Sequence, residues 1–294
     1  MKPFLVAVVG PTAAGKTHAA IKLAQSYEQP VEIVSMDAMQ VYQGMCIGTA
    51  RLLPDDWCGI PHHMLSVIPP DEPFSVSDYA AMVLPLLESL YKRGVQPILC
   101  GGTGLYLDAL QRPLQFANLE ANPTMRAELE LHTSTDLHTQ LMELDPPTAV
   151  RLPIGDRRRI IRALEVILLT GKPLSAYQDD GEDRFDLCLL GITLPREVLY
   201  QRIQTRVETM FQQGLVDEVS FLLKYGLSPD SQAMQALGYK ETIRYLRHEC
   251  SLPEAMAAIV KGTRHYAKRQ MTWFRKYSQI QWMEEHERAA IGRR

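Results

Sequence analysis

The sequence predicts an α/β protein in which a parallel sheet flanked by helices accepts a mainly helical inserted subdomain. Three observations carry this. Short Val-rich runs alternate with stretches of helical periodicity in the first part of the chain, the texture turns helical between 117 and 183, and a strand pattern returns at Phe185–Leu194. Each crossover between parallel strands needs a dozen or more residues, usually a helix, so such alternation builds a sheet covered on both faces.

The elements follow in order. Phe4–Val9 is a short apolar run closed by Gly10 and Pro11, the pattern of a buried parallel strand. From Lys16 to Tyr27, Ala19, Ala20, Leu23 and Ala24 form a helical stripe. Val31–Val34 reads as the second strand. A helix is expected over Val76–Arg93, capped by Ser75 or Ser77 and closed by Gly94. Val95–Cys100 is the third strand, with a helix opening after Gly101-Gly102-Thr103-Gly104. In the insert, Ile161, Leu164, Ile167 and Leu168 take helical spacing behind Arg157, Arg158, Arg159 and Arg162. From Glu197 onward the pattern is again mostly helical. The expected division is a core domain of residues 1–116 and 184–294 and an insertion domain of residues 117–183.

At 294 residues, with 46% hydrophobic and 22% charged residues, the chain can bury a large core without disulfides or a structural metal. Its five cysteines (Cys46, Cys58, Cys100, Cys188, Cys250) never pair as CxxC, which argues against a zinc site and for a reducing compartment. No window resembles a signal peptide or a membrane span, so a cytoplasmic, soluble protein is expected. Net charge is −3, so any polyanion must be met by a local patch.

Gly10-Pro11-Thr12-Ala13-Ala14-Gly15-Lys16-Thr17 fits GxxxxGK[ST] between a predicted strand and a predicted helix, which makes the core P-loop NTPase-like. Its glycines let the loop wrap a phosphate with backbone N–H groups inward, Lys16 adds a full charge, and Thr17 is placed to ligate Mg²⁺. The loop does not choose among kinases, NTPases and other enzymes that handle a diphosphate.

Ligands of open parallel sheets sit beyond the carboxyl ends of the strands. Asp37, after the second strand, could take a proton from an attacking nucleophile there; its plainer reading is a helix N-cap or a partner of Mg²⁺. The Gly101–Gly104 turn would let backbone approach a ligand, with the Thr103 hydroxyl as a contact. Arg202 and Arg206, four apart, could face one anion. His62-His63 has no third ligand at metal spacing. Residues 255–283 hold Lys261, Arg264, Lys268, Arg269, Arg275 and Lys276 without an acidic residue, interleaved with Tyr266, Trp273, Phe274 and Tyr277. Basic groups that track phosphates beside aromatics that stack on bases suit a single-stranded RNA loop.

Together these motifs resemble the tRNA isopentenyltransferase family, the tRNA dimethylallyltransferases. The carriers are GPTAAGKT (10–17), SMDAMQVYQGMCIGTA (35–50), IPHHMLSV (60–67), DEPFSVSDYA (71–80) and GGTGLYLDAL (101–110). DPPTAVRLPIGDRRRIIRALEV (145–166), TGKPLS (170–175), MFQQGLVDEV (210–219), ALGYKE (236–241) and AKRQMTWFRK (267–276) continue the series, so the resemblance covers nearly the whole chain. It implies transfer of a dimethylallyl group from dimethylallyl diphosphate to N6 of the adenosine 3′ to the anticodon, position 37 of the tRNA, with Mg²⁺ as cofactor. By resemblance, residues 10–17 hold the diphosphate, Lys16 and Arg206 balance its charge, Thr17 contacts it or Mg²⁺, and Asp37 is the general base. Asp37, Ala38, Met39, Gln40, Thr103, Arg126, Arg158, Arg159, Ile160, Ile161, Arg162, Lys268, Arg269, Gln270, Trp273 and Arg275 match positions that contact tRNA in the family.

The chain departs from the family pattern at Ala38, where serine is usual, and at Cys46 in an acidic-Ile-Gly run; a Cys/His extension of the eukaryotic type is absent, which favours the compact bacterial form. The partners implied are the tRNA anticodon stem-loop and dimethylallyl diphosphate, taken up by a monomer, with no membrane and no DNA. The alternatives are a P-loop small-molecule kinase, which would leave both basic clusters idle, and an adenylate isopentenyltransferase, which should lack the AKRQMTWFR end. An RNA-binding GTPase or ATPase switch would need a Walker B aspartate that the sequence does not offer.

Overall fold

The computed structural model describes residues 2–112, 119, 122–177 and 182–283. The chain divides into two compact units, Met1–Leu110 with Arg184–Arg294, and Gln111–Asp183. The expected break at 116/117 falls outside the described residues.

The first unit is built on a six-stranded sheet in the order β3-β2-β4-β1-β5-β6, every pairing parallel. Its strands are β1 (Phe4–Val9), β2 (Val31–Met36), β3 (His62–His63), β4 (Gln96–Gly101), β5 (Asp186–Ile192) and β6 (Gln281–Met283). Two of these escaped the sequence reading. β3 is only two residues long and β6 only three, with Gln281 exposed and Trp282 and Met283 half-buried, too short for a strand periodicity; both lie at sheet edges, where one side needs no partner strand.

The helices of this unit are α1 (Lys16–Gln25), α2 (Val76–Lys92), α3 (Gly104–Gln111, its last residue assigned to the second unit), α8 (Arg196–Gln212), α9 (Leu215–Lys224), α10 (Tyr239–Leu246) and α11 (Leu252–Phe274). Ser75 caps α2 through a reciprocal box with Asp78, and Ser251 does the same for α11 with Glu254. The second unit holds α4 (Pro123–Glu130), α5 (Ser134–Leu144), α6 (Pro146–Arg151) and α7 (Arg157–Thr170) around their own core of Leu129, Leu137, Leu141, Ile160, Ile161 and Leu164.

Strand order and register position the site. β2, β4 and β1 are neighbours, and Met36 and Val9 both align with Gly101. The chain therefore leaves three adjacent strands at one level, so Gly10, Asp37 and Gly102 emerge side by side. No described helix is long and apolar enough to cross a membrane.

Candidate active site

The phosphate loop leaves β1 at Gly10, whose φ of 140° and contact with the Ile192 backbone leave no room for a Cβ. Ala13 is held at φ 62° and Gly15 at φ 89°, so left-handed residues turn successive amides toward one concavity ahead of α1. Lys16 closes the loop by donating from Nζ to the Pro11 carbonyl at 2.8 Å. It keeps some exposed surface, yet desolvation pushes its pKa down to about 8 against the opposing pull of Asp37.

Asp37 follows β2. Its Oδ1 accepts from the backbone N–H groups of Met39 (2.9 Å) and Gln40 (3.3 Å), so part of its capacity does hold the turn, as the plainer reading expected. No hydrogen bond occupies Oδ2 among the described residues. Thr103 pins the neighbouring turn: its N–H donates to the Met36 carbonyl at 3.1 Å and its Oγ1 accepts from the Ala38 N–H at 3.2 Å.

Asp37 and Thr103 open into a cavity of about 470 Å³. Thr12, Arg206, Lys240, Tyr266 and Arg269 are among its other polar groups, and Ile203, Val207, Met210, Leu237 and Ile259 form an apolar wall. Pockets of about 300–1,000 Å³ with such a lining are typical of small-molecule sites. Burial lowers the pKa of Arg206, and the charge of Asp37 opposes the shift. Lys16 and Arg206 thus repel one another in a desolvated setting with Asp37 as their shared counter-charge. Burial also raises the Tyr266 hydroxyl, which stays neutral beside Thr103 and Gln270.

Arg206 also donates to the Thr49 carbonyl at 3.3 Å, in a loop held by a group the sequence reading missed. Glu218 accepts from the N–H groups of Cys46 (2.9 Å), Ile47 (2.8 Å) and Gly48 (3.2 Å) and from the Tyr239 hydroxyl (2.6 Å). Its position within MFQQGLVDEV was the available signal, but its backbone partners at 46–48 lie about 170 residues away. At Cys46, where the family carries an acid, the thiol accepts from the Arg51 guanidinium.

Several expected contacts are corrected. Arg202 and Arg206 do face one common hollow of about 390 Å³, but only Arg206 also lines the Asp37 cavity. Ile160 and Ile161 lie in the core of the helical unit, 0% and 4% exposed, and their side chains cannot face RNA. Gln270 is 5% exposed and hydrogen-bonded to two loops of the site. Trp273 packs on Gly104 with Lys276 Nζ 3.7 Å from its ring centroid, so it is not a free stacking platform. Gln40 donates to Thr49 O at 3.2 Å and lines a small hollow with Thr17, outside the Asp37 cavity, whereas Ala38 and Met39 line that cavity.

The remaining basic residues divide by unit. In the first, Lys268 and Arg269 are exposed on α11 and Arg275 is exposed at its C-cap. In the second, Arg158 and Arg159 are exposed, Arg159 facing Asp156 at 3.3 Å. Arg126 and Arg162 instead grip the fully buried Glu165 at 2.8 and 2.6 Å. Burial alone would raise the Glu165 pKa; the two arginines win and hold it below the usual range.

Thr17 carries the only expected metal contact. Among the described residues no cluster of three acidic, His or Cys groups could cage an ion. Its hydroxyl contacts the Cys100 thiol, which burial pushes up to about 11 and so keeps as a neutral S–H. One hydroxyl beside a phosphate loop fits Mg²⁺, which usually takes one or two protein oxygens and completes its shell with phosphates and water.

Comparison with known proteins places this geometry in context. A family model described as IPP transferase matches residues 40–277, and one described as isopentenyl transferase matches residues 3–65. A tRNA dimethylallyltransferase of Geobacter sulfurreducens is 45% identical over 290 residues, 96% of this chain and 92% of that one. The namesake of Symbiobacterium thermophilum is 45% identical over 97% of this chain and 90% of its own. The structure superposes on tRNA isopentenylpyrophosphate transferase from Bacillus halodurans with a TM-score of 0.74 at 38% identity, covering 99% of this chain and 95% of that one. With a eukaryotic dimethylallyltransferase acting on tRNA, the TM-score is 0.83 at 26% identity, over 96% of this chain and 74% of that one.

Proposed function

The chain belongs to the IPP transferase family of tRNA dimethylallyltransferases, and on that premise we propose that its Asp37 cavity is where the dimethylallyl group passes from its diphosphate to tRNA. The acceptor is N6 of the adenosine 3′ to the anticodon, and the products are N6-isopentenyladenosine and diphosphate. One observation carries the assignment of chemistry to this site. Among the described residues, two desolvated cations, Lys16 and Arg206, stand against a single carboxylate, Asp37, at the mouth of a phosphate loop. An entering diphosphate supplies the missing negative charge in a low-dielectric setting, where its attraction is strongest.

The reaction sets a particular demand. An exocyclic amine is a poor nucleophile because its lone pair is delocalised into the ring, so the allylic C–O bond must break early. Negative charge then builds on the leaving diphosphate, where Lys16, Arg206 and the loop amides stabilise it. The N6 lone pair forms the new N–C bond, and Asp37 Oδ2 takes the proton that N6 sheds. The apolar wall of Ile203, Val207 and Met210 suits a five-carbon prenyl chain, while Thr103 and Tyr266 line the polar end that meets the adenine. The base must leave its stack to enter, at a cost of a few kcal/mol offset by contacts to the loop.

Mg²⁺, when held by Thr17 and the diphosphate, would neutralise charge on the leaving group. Contact with tRNA falls to Lys268, Arg269 and Arg275 in the first unit and to Arg158 and Arg159 in the second, both sets basic and exposed. A monomer in the cytoplasm completes the reading. The test is incubation of purified protein with unmodified tRNA and labelled dimethylallyl diphosphate, and separately with ATP. Prenylated tRNA is expected; ATP consumption without prenyl transfer overturns it.

A further inference from the structure

We propose that Gln270 is a positioning residue that holds the phosphate loop in register with the Gly101–Gly104 turn; the inference rests on the diphosphate reading of residues 10–17. Gln270 sits in α11, next to the exposed Lys268 and Arg269, but its own side chain points inward and is 5% exposed. Its Oε1 accepts from the Thr12 N–H at 2.8 Å, across 258 residues of sequence. Its Nε2 donates to the Gly102 carbonyl at 3.1 Å. One amide group therefore bridges the loops that follow β1 and β4.

The bridge has little slack. A Cβ on Gly102 would run into Gln270 Nε2, so the absence of a side chain there is what lets the amide reach both loops. The Tyr266 hydroxyl, one turn earlier on α11, lies beside both Thr103 and Gln270. Thr103 in turn receives the Ala38 N–H beside Asp37. Gln270 thus ends a chain of contacts that begins at the base and finishes on the phosphate loop.

This arrangement also divides the loop amides. The Thr12 N–H is committed to Gln270, leaving those further along the loop, toward Lys16 and Thr17, for phosphate oxygens. Loop amides bind an anion well only when their directions are fixed before it arrives, because preorganised donors need no reorientation. Losing the bridge should weaken the grip on diphosphate while leaving the exposed basic face of α11 intact.

Gln270→Leu removes both hydrogen bonds at similar volume, and Gln270→Glu keeps the acceptor for Thr12 while losing the donor for Gly102. For each variant and the parent protein, the affinity for inorganic diphosphate, the affinity for tRNA and hydrogen exchange at the Thr12 amide are measured, with thermal unfolding as a control for folding. In Gln270→Leu, diphosphate binding should weaken about 10- to 100-fold and Thr12 exchange should speed up, with tRNA affinity within about twofold of the parent. Gln270→Glu should keep Thr12 protection and give an intermediate loss even if Gln270→Leu fails to fold. Unchanged diphosphate affinity, or loss confined to tRNA affinity, overturns the proposal. So does a parent protein that does not bind diphosphate. A parent that binds diphosphate but does not prenylate tRNA overturns only the reaction assigned above.

Discussion

Replacing Asp37 by asparagine isolates the carboxylate's chemistry from its structural work. Asp37 Oδ1 accepts two backbone N–H groups, from Met39 and Gln40, and an asparagine oxygen can accept both. The exchange of a charged for a neutral acceptor should lower stability by about 1 kcal/mol at most, since hydrogen bonds to ions are only modestly stronger and the site is partly exposed. The proton acceptor at Oδ2 is lost altogether. A general base is worth about 10²- to 10⁴-fold, or about 3–5 kcal/mol of barrier at 1.36 kcal/mol per tenfold. Diphosphate should bind no more weakly than before, because Asp37 is a negative charge that Lys16 and Arg206 share and its removal takes away a repulsion. Single-turnover transfer from labelled dimethylallyl diphosphate gives the rate, and filter binding gives the tRNA affinity. The expected outcome is a rate lowered by about 10²- to 10⁴-fold with tRNA affinity within about threefold. A rate within tenfold of the parent removes Asp37 as the base, and a collapse of tRNA binding makes it a recognition residue.

Neutralising Lys268 and Arg269 together should weaken tRNA binding and reduce its slope against log salt by about 1.5, the share of two phosphate contacts; an unchanged slope takes them out of the interface. Glu218→Ala strips an acceptor from the Cys46, Ile47 and Gly48 amides, so it should destabilise the protein by about 1–3 kcal/mol and lower kcat/KM while tRNA affinity holds, read by thermal unfolding and steady-state rates. Glu165 has a folded pKa below its usual 4.5, so the folded helical unit binds fewer protons than the unfolded one in that window. Its contribution is complete above about pH 4.5 and fades as pH falls through the folded value. Glu165→Gln should blunt this acid sensitivity and speed hydrogen exchange in α7, and an unaltered acid profile would show the Arg126 and Arg162 pairs to be inert.

The sheet's middle was legible because its signals are local. Val-rich strands, the GxxxxGKT loop and a carboxylate one strand over are each contained in about ten residues. What escaped depends on contacts far apart in sequence. Glu218 reaches the loop at 46–48, and Gln270 reaches Thr12 and Gly102, through bonds that no periodicity announces. The contact motifs were misread for a related reason. A run such as Arg158–Arg162 carries one exposed and one buried helical face, and a segment-wide assignment swept Ile160 and Ile161 along with the arginines although the spacing of Ile161 with Leu164 already marked a core stripe. The same holds on α11, where Gln270 and Trp273 share a motif with Lys268 and Arg269 but turn inward.

The net charge of −3 says little about a site whose electrostatics rest on three groups. Without a ligand, Asp37 is the counter-charge that Lys16 and Arg206 share. A seated diphosphate brings further negative charge to the same two cations, so the grip on the leaving group and the proton acceptor meet at one electrostatic centre. Asp37→Asn and Gln270→Leu probe its two sides: the first removes the base while keeping the diphosphate site, and the second loosens the diphosphate site while keeping the base.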